Sequence, residues 1–361
     1  MIALEPQASR ASRVPRRARR LALVALALAF FAGPGLLSAQ DLSSPGPSDP
    51  PSREFTRSDI ALSVAMGAAF NVGSAIESFW SGAAWHAPVF IATVSAQNLP
   101  ALFYVPRSAG MNLGIQAGLD ASFAIGRYVF PGDATANSVL FNAAHKFSMF
   151  ASYDSYSRMR LAEVGGPGDF RRYGLGQLAF APFNPEVLKD WRVWGEIGTK
   201  AAIAAIRIAL ANKDDSVWER GTSWIGSHQL EPAIGVPLML LIQTLNFTMT
   251  AVGEESLYRG TYYEEMKRGM GVWPARIADA SYFTLIHYPQ KWDSIKARPI
   301  WETLLNFSLS AANIVWWQYV YDEEGLPATV AIHAWSDVIG FGAAWLLTAG
   351  AGNENSEGLR I

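Results

Sequence analysis

The stretch that decides the fold is PAIGVPLMLLIQTLNFTMTAVG, residues 232–253, followed without a break by Glu254-Glu255-Ser256-Leu257-Tyr258-Arg259-Gly260. Its uncharged run of 22 residues is long enough, at about 1.5 Å per residue, to cross the hydrocarbon core of a bilayer. Two carboxylates and a guanidinium stand at the end of that run. An ionisable group at the end of a membrane helix is costly and marks a functional position by default. A second uncharged run, 303–321, covers 19 residues and reads as a second span.

The rest of the chain extends this reading. Half of the 361 residues are hydrophobic and only 17% are charged, against about 25% in ordinary soluble domains. Thirteen Trp and twelve Tyr supply the amphipathic rings that collect at bilayer interfaces. Weaker apolar segments near 60–80, 84–105, 110–130, 137–153, 194–212 and 327–349 alternate with polar or Gly/Pro breaks. The expected fold is an all-α, polytopic transmembrane bundle of about six to eight helices in the cell membrane. Its chemistry would lie among the last three or four. Glu196, Lys200 and Arg207 make 194–212 amphipathic, an interfacial or interior helix. The formal charge of −2 gives no basic excess for nucleic acid. With no Cys, disulfides, thiol nucleophiles and thiolate metal sites are excluded.

At the N-terminus, Arg16, Arg17, Arg19 and Arg20 precede the apolar run 21–32, Gly33-Pro34-Gly35 and a small residue at Ala39. Residues 1–39 therefore read as a signal peptide or a retained signal anchor. Residues 40–57, rich in Ser, Pro and Asp, read as a disordered leader. The expected organisation continues with a helical half over 58–153, a Gly-, Arg- and Pro-rich loop over 154–193, a second helical half over 194–350 whose core is about 230–350, and a flexible tail over 351–361. The Arg/Lys distribution of the loops leaves membrane orientation open.

Three short constellations lie in the second half. In a helix, Glu255 and Arg259 are four apart and can pair on one face, while Glu254 points about 100° away. One carboxylate is neutralised and the other left available. Alone, this group would equally suit the polar end of a helix. Phe283 and His287 are again four apart, on a helix entered at Trp273-Pro274, with Pro favoured in the first turn. A single His at such a place is ordinarily a hydrogen-bonded core residue. His333 and Asp337, also four apart, lie within an apolar stretch where burial without partners would cost several kcal/mol. A structural polar pair between helices is the plain alternative, and it is the ordered co-occurrence of all three groups that favours chemistry.

Together they resemble the CPBP intramembrane proteases, which include the CAAX prenyl endopeptidases and the bacterial Abi proteins. That family's pattern is Glu-Glu-x-x-x-Arg, Phe-x-x-x-His and His-x-x-x-Asn or Asp. Here it corresponds to Glu254-Glu255 with Arg259, Phe283 with His287, and His333 with Asp337, over about the last 110 residues. The resemblance implies a membrane-embedded endopeptidase acting on membrane-associated peptides or prenylated proteins. Glu254 would be the general base, working with His287 on a water. His333 and Asp337 would face the oxyanion, and Arg259 would hold Glu255. No cofactor is required on this reading. A zinc-dependent alternative puts Zn²⁺ on Glu254, His287 and His333, although the chain lacks a His-Glu-x-x-His helix.

Other acidic pairs and histidines lack this context. Glu264-Glu265 has Gly269 where Arg should stand, and Glu323-Glu324 reads as the acidic entry to the next helix. His86, His145 and His228 have no partner motif. A catalytically silent scaffold of the same fold is the competing class, against which stand four retained ionisable groups that burial penalises. A transporter would spread such groups through many spans, whereas here they gather in the last three.

Overall fold

The computed structural model describes residues 54–80, 86–129, 134–165, 170–211, 214, 216–226, 228–289 and 292–348. The expected signal segment 1–39, most of the 40–57 leader and the 351–361 tail lie outside them. Nine principal helices follow in chain order: α1 (Arg57–Glu77), α2 (His86–Ala96), α3 (Pro106–Val129), α4 (Ala134–Leu161), α5 (Trp191–Leu210), α6 (Pro232–Leu257), α7 (Val272–Ile286), α8 (Ile300–Glu324) and α9 (Leu326–Thr348). Shorter helical turns and one antiparallel hairpin, Ser223–Ile225 with His228–Leu230, connect them. The protein is an all-α helical bundle, and the three motifs fall on α6, α7 and α9.

The central helix is α6, packed between α4 and α9. Outward positions such as Leu62, Ile76, Ile203, Ile206, Leu238, Leu241, Leu304 and Leu309 are exposed. The interior holds polar contacts instead: Asn142 donates to Asn246 at 3.0 Å and to Thr250 at 2.8 Å, and Gln97 and Asn98 both donate to Ser148. Apolar outside and hydrogen-bonded inside is the arrangement that suits a bundle surrounded by lipid, where polar side chains join helices. Among the described residues, three helical stretches are long and apolar enough to cross a membrane: Arg57–Trp80, Pro232–Met270 and Leu326–Thr348.

Several expectations change. The segment 303–321 does form a helix, α8 of 25 residues, yet it is not among the three apolar ones. Asn306, Ser308, Ser310, Asn313 and Gln318 lower its hydropathy, and Gln318 is fully buried. Segment 84–105 is two helices, α2 and Leu99–Tyr104, with Pro100 in the first turn of the second. The loop expected over 154–193 is mostly helical: α4 continues to Leu161, short helices cover Leu175–Phe180 and Pro185–Leu188, and α5 begins at Trp191. The end of α4 is held by Asp154, which accepts from Arg158 one turn on and from Arg172 across the connection. The leader also ends earlier than expected. Phe55 is 1% exposed and pairs with Glu163 as a bridge, while Thr56 caps α1 with a reciprocal Asp59 contact.

Candidate active site

The last turns of α6 carry Glu254 and Glu255, and the helix then widens into a π-helical stretch, Tyr258–Tyr263, that contains Arg259 and Gly260. Such insertions recur at functional positions because they re-aim side chains within an otherwise regular helix. Two glycines seven residues apart let α6 approach α4. A Cβ on Gly253 would stand 2.5 Å from the Lys146 carbonyl oxygen, and one on Gly260 would stand 2.7 Å from the Tyr153 ring.

Glu255 and Arg259 pair as their spacing predicts, Nε to Oε2 at 3.3 Å, with both side chains fully buried. Arg259 also lies over the Phe283 ring at 4.4 Å and near Trp317 at 5.7 Å, so two aromatic faces share its charge. The second Glu255 oxygen accepts from His333 Nδ1 at 2.7 Å. Glu255 therefore links the first motif to the third, and its contact fixes the His333 tautomer with a proton on Nδ1.

His287 ends α7, and its Nδ1 donates to the Phe283 carbonyl at 2.6 Å. The Phe283 ring packs against the imidazole at 4.5 Å between centroids. With both Nδ1 atoms engaged, both Nε2 atoms turn inward toward Glu254. Glu254 Oε2 stands 3.7 Å from His287 Nε2 and 3.8 Å from His333 Nε2. Asp337 Oδ2 stands 3.3 Å from the same His333 nitrogen. A proton on one of these two facing groups makes that contact favourable.

All six residues singled out from the sequence thus meet in one cluster. The Glu255–Arg259 side is sealed, whereas the His287 and Asp337 side chains are 30% and 36% exposed. The cluster opens on the His287–Asp337 side. Glu254 differs from expectation in one respect, because it is not left unpaired. Its Oε1 accepts from Lys146 Nζ at 2.6 Å, an ion pair less than one-tenth exposed on either side. Lys146 comes from α4, 108 positions upstream, and no local motif marks it. Glu254, Glu255 and Asp337 therefore meet Lys146, Arg259 and the two imidazoles, and a further buried carboxylate, Asp279, lies within electrostatic reach of Arg259 and Glu255.

The acidic pairs set aside from the sequence stay outside, whereas His145, beside Lys146 on α4, lies within electrostatic reach of Glu254 and His287. Glu264 and Glu265 pair with Lys267 and Arg268 one turn on. Glu323 and Glu324 close α8 against Arg192 rather than opening α9. His86 stacks near Phe90, and His145 packs edge-on to the same ring.

Among the described residues, no group of three or more His, Asp or Glu side chains is disposed to hold a metal ion. In kind, the donors of Glu254, His287 and His333 suit Zn²⁺, and the carboxylate on His333 Nδ1 is the outer contact such a ligand uses. In arrangement they do not fit. The Lys146 ammonium already takes one Glu254 oxygen, and the other lies 3.7 Å or more from both imidazole nitrogens.

Residues 236–339 match the family model described as type II CAAX prenyl endopeptidase Rce1-like, a little under a third of the chain. No curated protein and no solved structure matches the chain. The matched segment contains Glu254, Glu255, Arg259, His287, His333 and Asp337, and it excludes Lys146. All of the cluster except Lys146 thus falls in the segment that is similar to the type II CAAX prenyl endopeptidases of the Rce1-like family.

Proposed function

We propose that this cluster is the active site of a membrane-embedded endopeptidase that hydrolyses peptide bonds in membrane-associated or prenylated substrates with a water activated by Glu254 and His287. The observation that carries the reading is the position of Glu254 Oε2, 3.7 and 3.8 Å from two inward imidazole nitrogens. Those gaps are too long for direct hydrogen bonds and suit one water at about 2.8 Å from each atom.

The water oxygen attacks the scissile carbonyl carbon as its proton passes to Glu254, which gives a tetrahedral intermediate with negative charge on the former carbonyl oxygen. His333 and Asp337, sharing a proton across 3.3 Å, face that oxygen and stabilise it. Collapse breaks the C–N bond. The proton taken from water passes by way of Glu254 or His287 to the departing nitrogen, which leaves as an amine. Glu255 and Arg259 act behind this layer by holding the His333 ring. Substrate reaches the water from the His287–Asp337 side, and the mechanism contains no metal step.

The bundle would sit as a multi-pass protein in the cell membrane. Its retention in the membrane fraction after carbonate washing tests that placement, and release into the supernatant would defeat it. The chemical test is Glu254→Gln assayed on an internally quenched farnesylated peptide with a CAAX terminus. Cleavage falls by a factor on the order of 10² or more if Glu254 is the base. Wild-type rates from the variant would sink the mechanism.

A further inference from the structure

The motifs of the matched segment leave one buried charge of the site unassigned. Lys146 lies on α4, outside residues 236–339, and is 7% exposed. An ammonium at that depth is costly unless paired and hydrogen-bonded. Its side chain ends on Glu254 Oε1 at 2.6 Å, and a close approach of two helices brings it there. Gly253, the residue before Glu254, lies so close to α4 that a Cβ would stand 2.5 Å from the Lys146 carbonyl oxygen and 2.8 Å from its Cα. The close approach of the two helices, the missing side chain and the ion pair all fall at one residue of α4.

We infer that Lys146 is a positioning residue for the hydrolytic reaction: its ammonium holds Glu254 Oε1 against α4 so that Oε2 alone faces the water site between His287 and His333. This rests on the reading of Glu254 as the base. A carboxylate has two equivalent oxygens and a rotatable terminal bond. His287 and His333 both stand on the Oε2 side, and His145, beside Lys146 on α4, acts on Glu254 at electrostatic range. Among the described residues, only Lys146 is hydrogen-bonded to the opposite oxygen. Glu255 and Asp337 bring two further negative charges to the cluster, and Arg259 is committed to Glu255. Without Lys146 the Glu254 side chain would turn away from these carboxylates and lose its aim on the water. Lys146 does not touch the reacting atoms, and its effect passes through Glu254.

The test is a double-mutant cycle on the full chain in detergent, with the quenched farnesylated peptide as probe. Lys146→Met is expected to lower kcat by about 10²-fold with KM little changed, because the lost contact matters to the attacking water rather than to substrate binding. Lys146→Arg, which restores a cation at the same stem, is expected to recover at least part of that loss. In the Glu254→Gln background, Lys146→Met should lower kcat no further. If Lys146→Met cleaves like wild type while Glu254→Gln is inactive, the inference is overturned and the reading of the site survives. If Glu254→Gln itself is active, or wild type does not cleave the probe, that reading fails instead. A second cycle does not depend on turnover: the melting temperatures of Lys146→Met, Glu254→Gln and the double variant. Coupled losses support the pair, and strictly additive ones overturn it.

Discussion

Gly253 and Lys146 meet backbone to side chain-free backbone, and that contact sets the separation of α6 and α4 at the level of Glu254. A Cβ at 253 would lie 2.5 Å from the Lys146 oxygen, 2.7 Å from its Cβ and 2.8 Å from its Cα. None of these is the end of a flexible side chain, so Gly253→Ala must displace a helix. Overpacking of this kind costs about 1–3 kcal/mol, and here it also draws Lys146 away from Glu254. Gly253→Ala is expected to melt earlier and to lose most of its cleavage. Gly110→Ala, where a Cβ meets nothing within 4 Å, should melt at or slightly above wild type. Equal melting curves for the two variants would refute the close approach.

The two adjacent carboxylates of α6 should separate cleanly on mutation. Glu255 holds Arg259 and His333 and is fully buried. Glu255→Ala takes from the buried guanidinium the carboxylate it is paired with, leaving Asp279 only at electrostatic range, a loss of about 3–5 kcal/mol by analogy with other broken buried pairs. Glu254→Gln keeps an amide oxygen in reach of Lys146. It should therefore abolish cleavage with a much smaller change in melting temperature. Thermal unfolding in detergent beside peptide cleavage distinguishes the two, and a Glu255→Ala protein as stable as wild type would contradict the network.

How much of this was legible in the sequence depends on the range of each contact. Glu255–Arg259, Phe283–His287 and His333–Asp337 are each one helical turn apart, so helix geometry alone puts each pair on one face. Lys146 is different. It sits in a moderately apolar stretch with no partner nearby, and only the packing of α4 on α6 delivers it to Glu254. The Gly253 that permits this packing was visible, but a lone glycine in a helix does not name the helix it touches. The segment 154–193 departs from its expected loop for a related reason. Its Gly and Pro content suggests a loop, whereas Asp154, Arg158 and Arg172 bind one another and carry α4 to Leu161.

Acid should weaken one end of the bundle through Asp322, at the C-terminal end of α8. Burial alone would raise its pKa, but Lys267 at 2.7 Å, the Tyr263 hydroxyl at 2.6 Å and Arg276 at 2.8 Å outweigh it and hold the carboxyl below its ordinary value. A carboxyl depressed in the folded state contributes stability above its unfolded pKa of about 3.9, and that stability is lost as pH falls through the folded value. Asp322→Asn should therefore melt below wild type at pH 7. The gap should narrow as the pH is lowered past about 4 toward the folded value. A gap independent of pH would show that Asp322 stabilises α8 by some means other than its charge.

Chelation provides the sharpest test of the chemistry, because the metal and metal-free readings use the same three residues. Glu254 Oε1 is bound to the Lys146 ammonium, and a divalent cation on Glu254 would sit beside that positive charge. At about 4 Å and an effective dielectric of 20, two unit charges already repel by about 4 kcal/mol, and a divalent ion doubles the penalty. Zinc would have to displace Lys146 from Glu254 before His287 and His333 could share it. Cleavage of the farnesylated peptide is accordingly expected to survive dialysis against a strong chelator, with zinc well below one equivalent in the purified protein. Reversible loss of activity, restored by Zn²⁺ alone, would reassign Glu254, His287 and His333 as ligands. Lys146→Met would then be expected to raise zinc affinity instead of disabling the base.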